Sequence, residues 1–350
     1  MRRASIRRAV DRSARFLRRN VGLHRVGVAL GIAIVGAAAF ALYGILRTID
    51  GDELVEALRA TPASRIALAA CFVAAAYLTL TCYDFFALRQ LGRRRLRYRV
   101  AALAGFTSYA VGHNVGATVV TGGTVRYRIY SAHGLDAIEV AKICFLTGLT
   151  FWLGNAAVLG IAIAIEPQAA TALLRFPPEV NRVAALGLLG ALAAYVGWVG
   201  NGPRVIGRSG WTVALPGAPS TLVQIAIGIV DLLCCAAAMY LLLPDSPAID
   251  FVTLVVVFVS ATLLGFASHA PGGLGVFDAA MLVALGQFDR EELLAGVLLF
   301  RLLYYVAPFV LAVLILGLRE VALGTANLRA PVRPQSAAPL AECRRERDGS

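Results

Sequence analysis

The chain has 350 residues, 59% of them hydrophobic and only 15% charged, with a formal net charge of +12. Soluble domains carry about a quarter charged residues, so this composition excludes an ordinary soluble enzyme and, with several apolar runs of about 18 residues or more, places the chain among polytopic membrane proteins. In that class a positive balance reports topology rather than nucleic-acid binding, and six cysteines with no CxxC pair and no histidine at ligand spacing predict neither a disulfide framework nor a metal site.

The first twenty-odd residues are strongly basic, with Ile6, Val10, Ala14 and Leu17 at helical spacing. They read either as a helix lying on an anionic cytoplasmic leaflet or as a basic tail that only sets orientation. Apolar segments follow at 26–46, 66–88, 100–120, 137–165, 183–199, 222–243, 251–267 and 293–318. The loop at 89–99 holds six arginines, the loop at 201–210 holds Arg204 and Arg208, and arginine recurs after Leu318. The loops at 50–56, 244–250 and 289–292 are acidic. Basic loops mark the cytoplasmic side, so both termini are expected inside. The stretch beyond Gly324 has no apolar period and is expected to be a disordered tail.

This alternation holds only if two short segments enter the membrane and return. The first is TGGTVRYRIYSAHG (121–134), whose core from Thr124 to His133 is about ten residues, about 15 Å as a helix and roughly half the hydrocarbon thickness. The second is PGGLGVFDAAMLVALG (271–286). Gly122–Gly123 in one corresponds to Gly272–Gly273 in the other, and GLDAIEVA (134–141) corresponds to GQFDREELLA (286–295). The predicted fold is therefore an all-α polytopic membrane protein of six full spans and two re-entrant helical hairpins, arranged as an inverted internal repeat. The expected divisions are a basic tail (1–24), a first membrane repeat (25–170), a second (171–320) and a terminal tail (321–350). Eight ordinary spans are the competing reading.

Charges inside apolar spans cost roughly 2.5–3.5 kcal/mol each on insertion scales and are functional candidates by default. Asp231 lies midway along 222–243 with no neighbouring charge. Arg126 and Arg128 follow the paired glycines, and a guanidinium fork matches a phosphate bidentately. Two residues apart on a helix, they point different ways. Arg126 is expected to line a site and Arg128 to reach the interface. Asp278 and Arg301 are expected either to line the site or to pair with one another. Asp84 reads as a local partner of Arg89 or as part of the site, Glu139 and Lys142 as an i,i+3 pair, and Asn114 as an amide offered to a headgroup. His113 and His269 read as satisfied polar histidines. Arginines and acids together suit a zwitterionic or amine-bearing phospholipid headgroup.

The segments GGTVRYRIYSAHG (122–134), PGGLGVFDAAMLV (271–283) and FRLLYYVAPF (300–309) resemble the membrane region of bacterial lysylphosphatidylglycerol synthetases, the multiple peptide resistance factor family, together with its stand-alone relatives. The resemblance covers about 26–318. It implies that Gly122, Gly123 and Arg126 belong to one motif, Pro271, Gly272, Gly273 and Gly275 to a second, and Arg301 to a third, with Asp278 standing where relatives often have glutamate. It further implies lipid translocation from the inner to the outer leaflet of the bacterial inner membrane, with aminoacylated phosphatidylglycerol as cargo; no cofactor is expected. Some stand-alone relatives belong to hopanoid or other lipid pathways. No synthetase domain is expected here, so the chain is expected not to be an enzyme. The rival readings are a membrane subunit of a lipid-modifying enzyme and a scaffold that docks a lipid-synthesis enzyme through its basic termini. Self-association is compatible with either.

Overall fold

The computed structural model describes residues 59, 61–116, 118–208, 211–268 and 270–329. The predicted span at 26–46, the basic segment before it, His269 and the residues beyond 329 lie outside the described residues.

The long helices begin and end where backbone chemistry requires. Helix α1, Ala63–Gln90, follows Pro62, and the chain leaves it through Gly92 at φ 76°. Helix α4, Ala137–Ile165, starts on a capping box, in which Asp136 accepts from the backbone N–H of Glu139 at 2.7 Å and Glu139 accepts from that of Asp136 at 3.1 Å. Helix α8, Phe251–Ala267, starts on Asp250, and helix α10, Arg290–Arg301, on Asp289, each carboxylate accepting from two backbone N–H groups. The acids that mark two outer loops in the sequence thus satisfy helix termini that have no intrahelical acceptor.

Among the described residues, five helices are long and apolar enough to cross a membrane: α1, α4, α6 (Pro178–Gly200), α7 (Ala218–Leu242) and the continuous stretch Arg290–Ala322. The chain is a multi-pass membrane protein. Shorter helices make two hairpins. In the first, α2 (Tyr98–Val115) and α3 (Thr118–Tyr130) lie side by side. The turn between them uses Gly116 at φ 82°, not the Gly122–Gly123 pair, which sits inside α3. In the second, α8 leads through a 3₁₀ turn, Pro271–Gly273, into α9 (Val276–Ala284). Here Gly272, Gly273 and Gly275 all have φ between 61° and 77°, a region that strains other residues.

Helix α7 packs along α1 on one side and across α4 on another. At the α4–α7 crossing the backbones of Gly154 and Gly228 touch, and a Cβ on Gly228 would stand 2.7 Å from the Gly154 Cα. Small residues permit such approach in membrane helices. Gly228→Val should therefore cost about 1–3 kcal/mol, read as a lower melting temperature in detergent. Gly148→Val, on a face with open space, should leave it unchanged.

Several expectations need correction. The fold is not purely helical. Val205–Arg208 (β1) and Trp211–Ala214 (β2) pair antiparallel in the basic loop, where Val, Ile, Trp and Thr alternate and only Val213 is buried. Helix α5, Pro167–Leu174, follows α4 and was not anticipated. The one span predicted at 293–318 is present as the continuous stretch Arg290–Ala322, but it is not uniformly α-helical: a π-helical stretch at Leu302–Val306 joins α10 to α11, Ala307–Arg329. Helix α11 therefore runs past Gly324, where a disordered tail was expected to begin, because one glycine costs a helix only about 1 kcal/mol.

Candidate functional site

The two hairpins meet around one cavity of about 240 Å³. The first hairpin supplies Tyr109, His113, Gly116 and Thr118–Val120, and the second supplies Gly265, Ala270, Gly272, Gly273 and Phe277. Asp231 and Cys235 of α7 and Phe300, Tyr304 and Tyr305 near the π-helical stretch complete much of the wall. The stretch is held by neighbours that take its carbonyls. Tyr77 donates to the Tyr304 carbonyl at 3.0 Å and Asn114 Nδ2 to the Tyr305 carbonyl at 3.1 Å. Asn114 thus ties α2 to the last helical stretch and does not face the cavity. His113 lies against the rings of Tyr109, Tyr304 and Tyr305, and its buried Nδ1 has no hydrogen-bond partner among the described residues. The expectation of a fully satisfied histidine fails at that atom.

Asp231 faces the cavity with 4% of the residue exposed. Its carboxylate accepts from the Tyr83 hydroxyl at 3.0 Å and from Thr79 Oγ1 at 3.1 Å, both on α1. Among the described residues no arginine or lysine pairs with it.

The arginines are spent elsewhere. Arg126 is 4% exposed and Asp84 0%. Arg126 Nε donates to Asp84 Oδ1 at 3.0 Å and Nη2 to Oδ2 at 2.8 Å, while the Tyr130 hydroxyl donates to Oδ1 at 2.8 Å. Asp84 is therefore not the partner of Arg89, whose guanidinium lies 4.7 Å over the Phe85 ring. Arg301 makes the same fork on Asp278, with Nε and Nη2 each 2.8 Å from a carboxylate oxygen, and its Nη1 donates to the Gly272 carbonyl at 3.2 Å. Asp278 also accepts from the Gly275 N–H at 2.9 Å. Both arginines stand behind aromatic rings that wall the cavity: Arg126 is 4.7 Å from the Tyr109 centroid, and Arg301 is 5.8 Å from that of Tyr305. Gly122 seats α3 against the Ser108 carbonyl of α2. Arg128 reaches away to Glu320 at 2.7 Å. Glu139 is engaged by Arg93, at 2.7 Å from Nε, rather than by Lys142.

With Arg126 and Arg301 each held bidentately by an aspartate, the acid that lines the space among the described residues is Asp231, and the faces of the surrounding rings add negative quadrupole. Such a wall suits a cation. The residues that position Asp231, Thr79 and Tyr83, were not singled out from the sequence. Their signal was an i,i+4 polar pair inside an otherwise apolar span.

Comparison with known proteins now bears on this arrangement. The uncharacterized protein slr0712 of Synechocystis is 30% identical over 297 residues, covering 82% of this chain and 91% of that protein. The chain belongs to the slr0712 family. Inner membrane protein YbhN of Escherichia coli is 28% identical over 273 residues, 77% of this chain and 84% of YbhN. The phosphatidylglycerol lysyltransferase of Staphylococcus epidermidis is 38% identical over 69 residues, 19% of this chain and 8% of that enzyme. No family model matches the sequence. Similarity to slr0712 and YbhN thus extends over most of the fold, whereas the lysyltransferase shares a short segment of it.

Proposed function

We propose that this protein is a lipid translocase of the bacterial inner membrane, moving a phospholipid headgroup through the cavity between its two hairpins. The observation that carries the reading is the convergence on one cavity of both hairpins and of Asp231, which has no ion-pair partner among the described residues. The headgroup bears an ammonium that meets Asp231, as aminoacyl-phosphatidylglycerol does, while the acyl chains stay in lipid. The hairpins are re-entrant and belong to two inverted repeats. The reading is supported by the way each short arm is fastened: Arg126 on α3 forks onto Asp84 of α1, and Asp278 on α9 receives Arg301 of α10. Both termini are cytoplasmic on this reading. The short match to a phosphatidylglycerol lysyltransferase supports a lipid of that chemistry, and the similarity to YbhN supports an inner-membrane location.

Asp231→Asn keeps a group that can accept from Tyr83 and Thr79 but removes the charge. It should lower the flip rate of lysylphosphatidylglycerol in proteoliposomes at least tenfold, a loss of about 1.4 kcal/mol or more in transition-state stabilisation, with little change in melting temperature. Equal rates for the variant and the wild type would sink the proposal. The lysyltransferase similarity also favours a second reading, a membrane subunit of a lipid-modifying enzyme. Formation of a modified lipid by the purified chain would establish that reading instead.

A further inference from the structure

The end of α3 and the last part of α11 meet over a single carboxylate. Arg128 Nη2 donates to Glu320 Oε2 at 2.7 Å, and Arg319 Nη1 stands 3.8 Å from Glu320 Oε1. The three side chains are mostly covered, at 13%, 17% and 16% exposure for Arg128, Arg319 and Glu320. Among the described residues, two cations therefore share one anion. Arg128 Nε and Arg319 Nη1 are buried, and neither has a hydrogen-bond acceptor among the described residues. Contrast the two arginines behind the cavity, each of which spends its fork on a carboxylate of its own. Buried charged donors left without acceptors are unfavourable and rare in folded proteins.

The surroundings are apolar and face outward. Leu311, Leu314, Leu318 and Val321 form an exposed stripe along α11, repeating every three or four residues. On α3, Val120 at the cavity rim and Tyr127, the residue before Arg128, are exposed. An excess positive charge with spare donors thus sits at the end of an acyl-compatible surface, on the same helix that rims the cavity.

We infer that Arg128 and Arg319 form a docking site for the phosphodiester of an anionic phospholipid, whose acyl chains lie along the α11 stripe. Glu320 holds the two guanidiniums in place and competes with the phosphate. The inference rests on the lipid reading for its context, but it concerns a different site and a different part of the lipid.

The test is binding of radiolabelled phosphatidylglycerol to the purified full-length chain in detergent, with phosphatidylcholine and inorganic phosphate as competitors. Arg128→Gln combined with Arg319→Gln should weaken phosphatidylglycerol binding about tenfold, the factor that a single charge-assisted contact commands. Glu320→Gln should tighten it severalfold, and a gain of affinity cannot arise from misfolding. Unchanged binding in the double variant, or weaker binding in Glu320→Gln, would show that the cluster only fastens α3 to α11. Complete displacement by millimolar inorganic phosphate would assign a small-anion site and overturn the lipid form. Binding is read without transport, and Arg128, Arg319 and Glu320 lie outside the cavity lining, so the result does not depend on lipid flip. The two proposals therefore fail separately.

Discussion

Asp84→Ala should be the most damaging single substitution in the described part of the chain, lowering stability by about 3–5 kcal/mol. The reason is what it leaves behind. Asp84 is wholly buried and accepts two bonds from Arg126 and one from Tyr130. Without it, Arg126 remains a guanidinium at 4% exposure with no counter-ion, and a guanidinium cannot shed its proton. Arg126→Met should cost less, because the Asp84 carboxyl can take up a proton and still be hydrogen-bonded by Tyr130. The pair Asp84→Leu with Arg126→Met should recover much of the loss, since replacing both partners of a buried ion pair by apolar side chains is often close to neutral. The residual cost is the orphaned Tyr130 hydroxyl, about 1–3 kcal/mol. Melting temperatures of the four proteins in one detergent decide the matter. If Asp84→Ala melts no lower than Arg126→Met, the account of Asp84 as the essential counter-ion is wrong.

Arg301→Lys should lower stability by about 1.5–3 kcal/mol while keeping the charge. A lysine is a point donor and cannot reproduce two bonds to Asp278 together with the bond to the Gly272 carbonyl. The loss falls on the turn that forms one wall of the cavity, because Gly272 and Gly273 line it. Loosening that turn should open the cavity to reagents. Cys235 also lines it and is buried in the native protein. Its rate of maleimide labelling, resolved by mass spectrometry, should rise several-fold in Arg301→Lys. An unchanged labelling rate together with an unchanged melting temperature would refute the assignment of Arg301 as the clasp of the second hairpin.

The Asp278–Arg301 pairing was one of two outcomes the sequence allowed, because the two residues lie only 23 positions apart within one hairpin and the following helix. The Asp84–Arg126 pairing was not anticipated. Proximity in sequence favoured Arg89, five residues away, yet Asp84 lies on the face of α1 that packs against the first hairpin, and its partner is 42 positions distant. The same reason hid the role of Glu320, which meets Arg128 across 192 positions. The first hairpin turns at Gly116, which adopts φ 82°, six residues before the Gly122–Gly123 pair: a glycine pair is the more conspicuous signal in a sequence, but a turn needs only one glycine at positive φ.

From the sequence by itself came the membrane class, the positions of the five long apolar helices seen among the described residues and of the two shorter hairpin segments, and the few charges at membrane depth that demand explanation. Those are local properties: hydropathy over about twenty residues, the helical period, and the reluctance of an ionised group to enter hydrocarbon. Tertiary structure alone decided which acid neutralises which arginine, and so which acid has no ion-pair partner among the described residues. Coulombic pairing and hydrogen bonding act over a few ångströms, and it is the crossing of α1 with α7 and the hairpins that sets those distances. That is why Arg126, expected to line the site, stands behind the cavity wall beside Arg301, each held by an aspartate, while the acid on α7 faces the space.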